Sequence, residues 1–159
     1  MHRILRGLAY KISSVLFLSA GLLLTAGGGQ AQSLGYGFIG ATAGDLGGAF
    51  RYGVGAEWAT ASHISIGGEI GGIEKNSSGL LASGNLTAHI PARGAFDPFA
   101  TGGISVAHIY HTTGAYGNLG GGVNYWWNSH LAFRGEFRGY LGGGDLPGFG
   151  EFRFGISFR

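Results

Sequence analysis

The chain has 159 residues, room for one domain and not comfortably for two, and it has no cysteine, which excludes a disulfide framework or thiolate chemistry. Only 11% of its residues are charged, against about 25% in ordinary soluble domains, and its 35 glycines are roughly three times the usual share. An exported chain so poor in charge cannot easily cover its outside with solvated groups, whereas one that faces lipid does not need to.

The first element is a targeting segment. Arg3, Arg6 and Lys11 form a basic region, Ile12 to Leu24 is largely apolar, and Gly29-Gln30-Ala31 has the small-x-small form that signal peptidase accepts. The sequence therefore predicts a signal peptide over residues 1–31, cleaved after Ala31, and a single domain over 32–159. The alternative is an uncleaved membrane helix, but the strongly apolar run is shorter than the ~20 residues a spanning helix needs. Removing Arg3, Arg6 and Lys11 takes the ten basic residues to seven against eight acidic ones, a net charge of −1 with His neutral. The basic pI of 9.1 thus owes much to the leader, and no basic patch remains to suggest nucleic acid.

Beyond Gln32 no helical period persists. Eight stretches of period-2 alternation follow, bounded by Gly, Pro, Asn, Asp or Ser, at about 34–44, 49–58, 62–73, 79–90, 98–108, 114–127, 130–141 and 149–159. In the second, Tyr52, Val54 and Trp58 oppose Arg51 and Glu57. In the third, Ile64, Ile66 and Ile70 oppose His63, Ser65 and Glu69, and in the fourth Leu80, Leu86 and Ile90 oppose Ser83, Asn85, Thr87 and His89. In the seventh, Leu131, Phe133, Phe137 and Leu141 share a face with Gly135 and Gly139, opposite Ala132, Arg134, Glu136, Arg138 and Tyr140. The eighth sets Phe152, Phe154, Ile156 and Phe158 against Glu151, Arg153, Gly155, Ser157 and Arg159.

Strands with so long an apolar face must satisfy every backbone donor and acceptor internally, and in hydrocarbon only closure removes the edges. The expectation is an all-β fold: an eight-stranded antiparallel up-and-down transmembrane β-barrel in the cell outer membrane, with both termini on the periplasmic side. Ala59–Ala61, Pro91–Asp97 and Asn128–Ser129 then become periplasmic turns, and Asp45–Gly48, Glu74–Ser78, Ile109–Thr113 and Gly142–Gly148 external loops. Trp58, Trp126 and Trp127 would lie at one interface as an aromatic girdle, with Tyr110, Tyr116 and Phe149 marking the other.

The charges assigned to the inner face are Arg51, Glu57, Glu69, Arg134, Glu136, Arg138, Glu151 and Arg153, four of each sign. Lining the lumen, they can neutralise one another and plug it. The rival use, Glu136 and Glu151 as an acid–base pair, is disfavoured because arginines flank both and hold them ionised. An eight-stranded barrel is just wide enough for side chains, so Gly53, Gly55, Gly67, Gly71 and Gly155 on the same face are expected to make room for the charges.

Other motif matches fail on context. Gly35-x-Gly37-x-x-Gly40 fits a dinucleotide fingerprint, but no helical pattern follows it. His108 and His111 have no carboxylate or third ligand beside them, and Asn128-Ser129-His130 reads as a tight turn. The sequons at Asn76-Ser77-Ser78 and Asn85-Leu86-Thr87 mean little in a bacterium. No cofactor or metal is implied.

Asp97-Pro98-Phe99 with Thr101-Gly102-Gly103, Gly120-Gly121-Gly122-Val123-Asn124-Tyr125-Trp126, Phe133-Arg134-Gly135-Glu136-Phe137-Arg138 and Phe152-Arg153-Phe154-Gly155-Ile156-Ser157-Phe158-Arg159 carry a resemblance. Through them, residues 97–159 resemble small bacterial outer-membrane β-barrel proteins, the broad group that includes OmpA- and OmpX-like barrels. The resemblance implies an eight-stranded barrel and insertion by the barrel-assembly machinery, and no single activity. Where the family's assembly signal commonly ends in an aromatic residue, Arg159 follows Phe158 here, so the alternation is displaced by one place.

The leading functional expectation is a non-enzymatic, monomeric barrel in contact with outer-membrane lipid, contributing to envelope structure or surface contact. A lipid-modifying barrel enzyme is the second; it would need a Ser/His/acid set near the outer leaflet, and the sequence assembles none. The third is a soluble secreted barrel with aromatics inside, charges outside and a small apolar ligand. Eight strand-borne charges are too few for that solvated exterior.

Overall fold

The computed structural model describes residues 33–159 apart from 45–46, 62, 76–77, 93, 110–111 and 144–147, so the predicted leader and its cleavage site lie outside the described residues. Eight strands follow in order: β1 (Leu34–Gly44), β2 (Phe50–Ala61), β3 (Ile64–Glu74), β4 (Ser78–His89), β5 (Phe96–Ile109), β6 (Thr112–Trp126), β7 (Leu131–Gly142) and β8 (Phe149–Phe158). Each pairs antiparallel with the next, and β1 closes on β8 from Gly35↔Phe158 to Gly44↔Phe149. Closure leaves no strand edge unpaired. The two chain ends of the barrel share one rim, here the terminal rim; the opposite one is the distal rim.

Burial is the reverse of a water-soluble protein. Arg51, Arg138, Arg153 and Glu151 are among the most enclosed side chains, at 0–2% exposure, while Ile104, Leu119 and Leu141 are more than 70% exposed on the outer wall. Period-2 alternation produces this directly, since successive side chains point to opposite faces. The soluble alternative, with aromatics inside and charges outside, is incompatible with this placement.

Several expected boundaries shift. Ala59–Ala61 is strand rather than turn, with the register slip falling between Ala59 and Ala61. β5 begins two residues early, so Phe96 and Asp97 join the sheet; Pro98 is tolerated because it lies near the strand start, where its carbonyl still accepts from Ile90 N at 2.7 Å. Of the loop expected over Ile109–Thr113, Ile109 belongs to β5 and Thr112 and Thr113 to β6, while Tyr110 and His111 lie outside the described residues. The turn after β6 is held by the Asn128 side chain, whose Oδ1 accepts from His130 N and Leu131 N at 2.8 and 2.9 Å. At the other rim, Gly44 and Gly47 adopt φ of 96° and 60°, the left-handed turn that glycine alone enters at no cost.

β1 breaks the simplest expectation for a polar lumen. Its inward residues include Tyr36 and Phe38, and its outward ones include Gly35 and Gly37. The glycines of β2 are sized to these rings: a Cβ on Gly53 would stand 2.7 Å from Phe38 Cζ, and one on Gly55 would run into the Tyr36 ring. Gly53 and Gly55, expected to shelter long charges, therefore shelter aromatic rings.

Candidate functional site: the lumen

The eight predicted lumenal charges all point inward, from β2, β3, β7 and β8, and form one network along the barrel axis. Near the distal end, Arg51 Nε lies 3.2 Å from Glu151 Oε1, and the Tyr140 hydroxyl donates to Glu151 Oε2 at 2.9 Å. Arg153 grips Glu69 with both terminal nitrogens, at 2.9 and 3.2 Å, and reaches Glu136 Oε1 at 2.8 Å. Arg138 joins the same two carboxylates, at 3.1 Å to Glu69 and 2.6 Å to Glu136. Arg134 then carries the chain toward the terminal rim, with Nε donating to Glu136 Oε2 at 3.1 Å and Nη2 lying 3.1 Å from Glu57 Oε1.

Aromatic faces complete this plug. The Arg134 guanidinium is sandwiched between Tyr36 and Phe99 at 4.3 and 4.1 Å from the ring centres, and Arg153 sits 4.4 Å over Phe38. Flat cations against aromatic faces gain electrostatic attraction when removed from water. Tyr36 also donates to Glu69 Oε2 at 3.0 Å. The sequence assigned no lumenal role to these rings. A run such as Tyr36-Gly37-Phe38 reads equally well with its aromatics on the lipid side, because alternation does not reveal which face is inner.

At mid-barrel the facing wall of β4 to β6 is neutral. Ser83 and Ser105 share a 2.8 Å hydrogen bond, Asn118 donates to Ser105 at 2.9 Å, and Thr87 donates to Thr101 at 3.2 Å. The distal rim is closed by Tyr140 stacked on Phe149 at 4.5 Å, with Tyr116 edge-on to Phe149. Tyr116 and Phe149 are thus buried in the lumen rather than marking the outer belt, because their positions fall on the inward register of β6 and β8.

At the terminal rim the tryptophans separate. Trp58 and Trp127 are exposed on the outer wall, at 48% and 69%. Trp126 shares the inward register of Asn124 and lines the mouth, where the Arg159 guanidinium lies 4.0 Å over its ring. The expected three-tryptophan girdle is a pair. On β8, Phe152, Phe154 and Ile156 are exposed on the outer wall, while Phe158 is half-buried beside Gly35.

A cavity of about 360 Å³ occupies this mouth, and its lining includes Glu57, Ser65, His89, Asp97 and Trp126. His89 Nδ1 lies 2.9 Å from Asp97 Oδ1, while Nε2 lies 3.4 Å from both Glu57 Oε2 and Ser65 Oγ. Ser65, His89 and Asp97 thus stand in the order of a serine-hydrolase relay, a set the sequence did not assemble because Asp97 was placed in a turn. The proton of Ser65 is directed elsewhere: its hydroxyl donates to Glu57 Oε2 at 2.9 Å. His89 is bridged by two carboxylates instead of being left free to accept that proton. Glu136 and Glu151, the other conceivable acid–base pair, are enclosed by arginines and at most 2% exposed. Among the described residues, no group of three or more His, Cys, Asp or Glu side chains could hold a metal ion.

No family model and no curated protein matches the chain. Solved structures do. The N-terminal β-barrel domain of Pseudomonas aeruginosa OprF superposes with a TM-score of 0.64 at 17% identity, covering 81% of this chain and all of that one. Neisserial surface protein A gives 0.65 at 10% identity, over 80% of this chain and 95% of its own. The outer-membrane enzyme PagL gives 0.53 at 14%, over 79% and 99%. The chain therefore has the fold of the small eight-stranded outer-membrane β-barrels.

Proposed function

We propose that this chain is an integral outer-membrane protein, a non-enzymatic barrel with a plugged, charge-balanced lumen that contributes to envelope structure or surface contact. The observation that carries this reading is the inversion of burial: a continuous ion-pair network inside a closed wall whose outside is apolar. The terminal rim faces the periplasm in this reading, the barrel-assembly machinery inserts the strands, and the inserted protein is a monomer bathed in lipid.

Cell fractionation with detergent extraction tests the location; recovery in the soluble periplasmic fraction overturns it. Single-channel recording in planar bilayers tests the plug. In this reading four arginines and four glutamates in direct contact fill a lumen that eight strands make only wide enough for side chains. Silence is expected, and steady large conductance defeats the reading.

A further inference from the structure

The inward register adds Asp97 and His89 to the lumen. With Asp97 the interior holds five carboxylates, Glu57, Glu69, Asp97, Glu136 and Glu151, against the guanidiniums of Arg51, Arg134, Arg138 and Arg153. The fifth carboxylate, Asp97, lies at the mouth, where His89 meets it directly and Arg159 lines the same cavity. Each His89 ring nitrogen faces a carboxylate oxygen, Asp97 Oδ1 at 2.9 Å and Glu57 Oε2 at 3.4 Å. A neutral imidazole carries one N–H and one lone pair, so it would turn a lone pair on one carboxylate. Only the imidazolium satisfies both.

We propose that His89 is a proton-operated latch at the terminal mouth, tying Glu57 of β2 to Asp97 of β5 across the intervening strands and opening when its proton is lost. The latch presupposes the plugged lumen described above. Its surroundings come from every neighbouring element. Glu57 lies on β2 and Ser65 on β3; Asp97 and Phe99 face the ring from β5. From β6, Asn124 Nδ2 donates to Asp97 Oδ2 at 3.0 Å, and from β7, Arg134 pairs with Glu57. His63 and Arg159 line the same cavity. The cavity exposes the latch at the mouth, and His89 and Asp97 side chains retain 23% exposure each, so protons reach them without crossing the plug.

The sign follows from the contacts. The closed mouth holds the proton and an open one releases it, so closure is favoured at low pH and weakens as pH rises. Loss of the proton leaves one carboxylate without its donor. Arg134 and Asn124 still hold Glu57 and Asp97 individually. What is lost is the link between them.

The test uses the full chain in lipid nanodiscs with ¹⁵N-labelled histidine, the His89 signals being assigned with a His89→Gln variant. At neutral pH both His89 ring nitrogens are expected to be protonated. A neutral ring there overturns the proposal, and this measurement on the unaltered chain stands even if the variant fails to fold. Amide exchange supplies the second readout, at Ile90, which donates to Pro98 O at 2.7 Å, and at Trp126, which donates to Ala95 O at 2.8 Å. As His89 titrates, their protection should fall by up to about tenfold per pH unit beyond the intrinsic base catalysis, the limit for coupling to one proton. The variant should lack that step. The same step in both proteins overturns the latch, while the bilayer recording at neutral pH judges the plug separately.

Discussion

The lumen has two sides that solve one problem differently. On β2, β3, β7 and β8 the inward residues are long and charged, and most have several partners: Glu136 alone meets Arg134, Arg138 and Arg153. Through the middle of β4 to β6 the inward residues are short and neutral, and Ser83, Ser105, Thr87, Thr101 and Asn118 meet in pairs or threes. The difference teaches how a narrow barrel is filled. Guanidiniums and carboxylates cross the axis from one side, and small side chains opposite leave them the space. The energetic consequence is unequal: a charge stripped of its partner in the interior is far costlier than a lost neutral hydrogen bond.

That inequality is the first thing to break. Glu136→Ala leaves three buried arginines short of a partner and should cost about 3–5 kcal/mol, read from urea unfolding in lipid vesicles. If it costs no more than a serine on the neutral side, the network is not a unit. Next comes the outer wall, which the charged and neutral sides share. Phe154→Arg should cost about 2–4 kcal/mol if the site is near the bilayer midplane; normal insertion and heat resistance would show that this face does not meet lipid. Gly53→Val forces a side chain against Phe38 and the Ile70 carbonyl, and overpacking of this kind should cost about 1–3 kcal/mol. A neutral result would mean that the Phe38 ring is not fixed over Arg153.

On the neutral side, Ser83→Ala should cost only about 1 kcal/mol, since Ser105 keeps its bond from Asn118. A loss comparable with that of Glu136→Ala would erase the contrast between the two sides. The smallest effect belongs to the distal connection. Replacing residues 142–148 with a shorter turn should leave a folded, heat-resistant barrel by gel mobility, and collapse would show that this segment supports the aromatic closure at Phe149.

The sequence by itself determined the number of strands, their approximate extents and the two faces of the most regular ones. It could do so because period-2 alternation is a local property and the polar residues of β7 and β8 mark one face without ambiguity. Tertiary structure decided what alternation cannot carry. Whether Tyr36 and Phe38 meet lipid or arginine depends on the glycines of β2 that pair with them. Alternation sets Trp126 and Trp127 on opposite faces, but only the fold shows that Trp126 is the inward one, with the Arg159 guanidinium over its ring. His89 meets Asp97 because β5 starts two residues earlier than Pro98 suggests, which turns a presumed turn residue into a lumenal one. Glu57, Ser65, His89 and Asp97 come from four consecutive strands, and the register of β2 to β5 together with their inward curvature brings the four to one mouth.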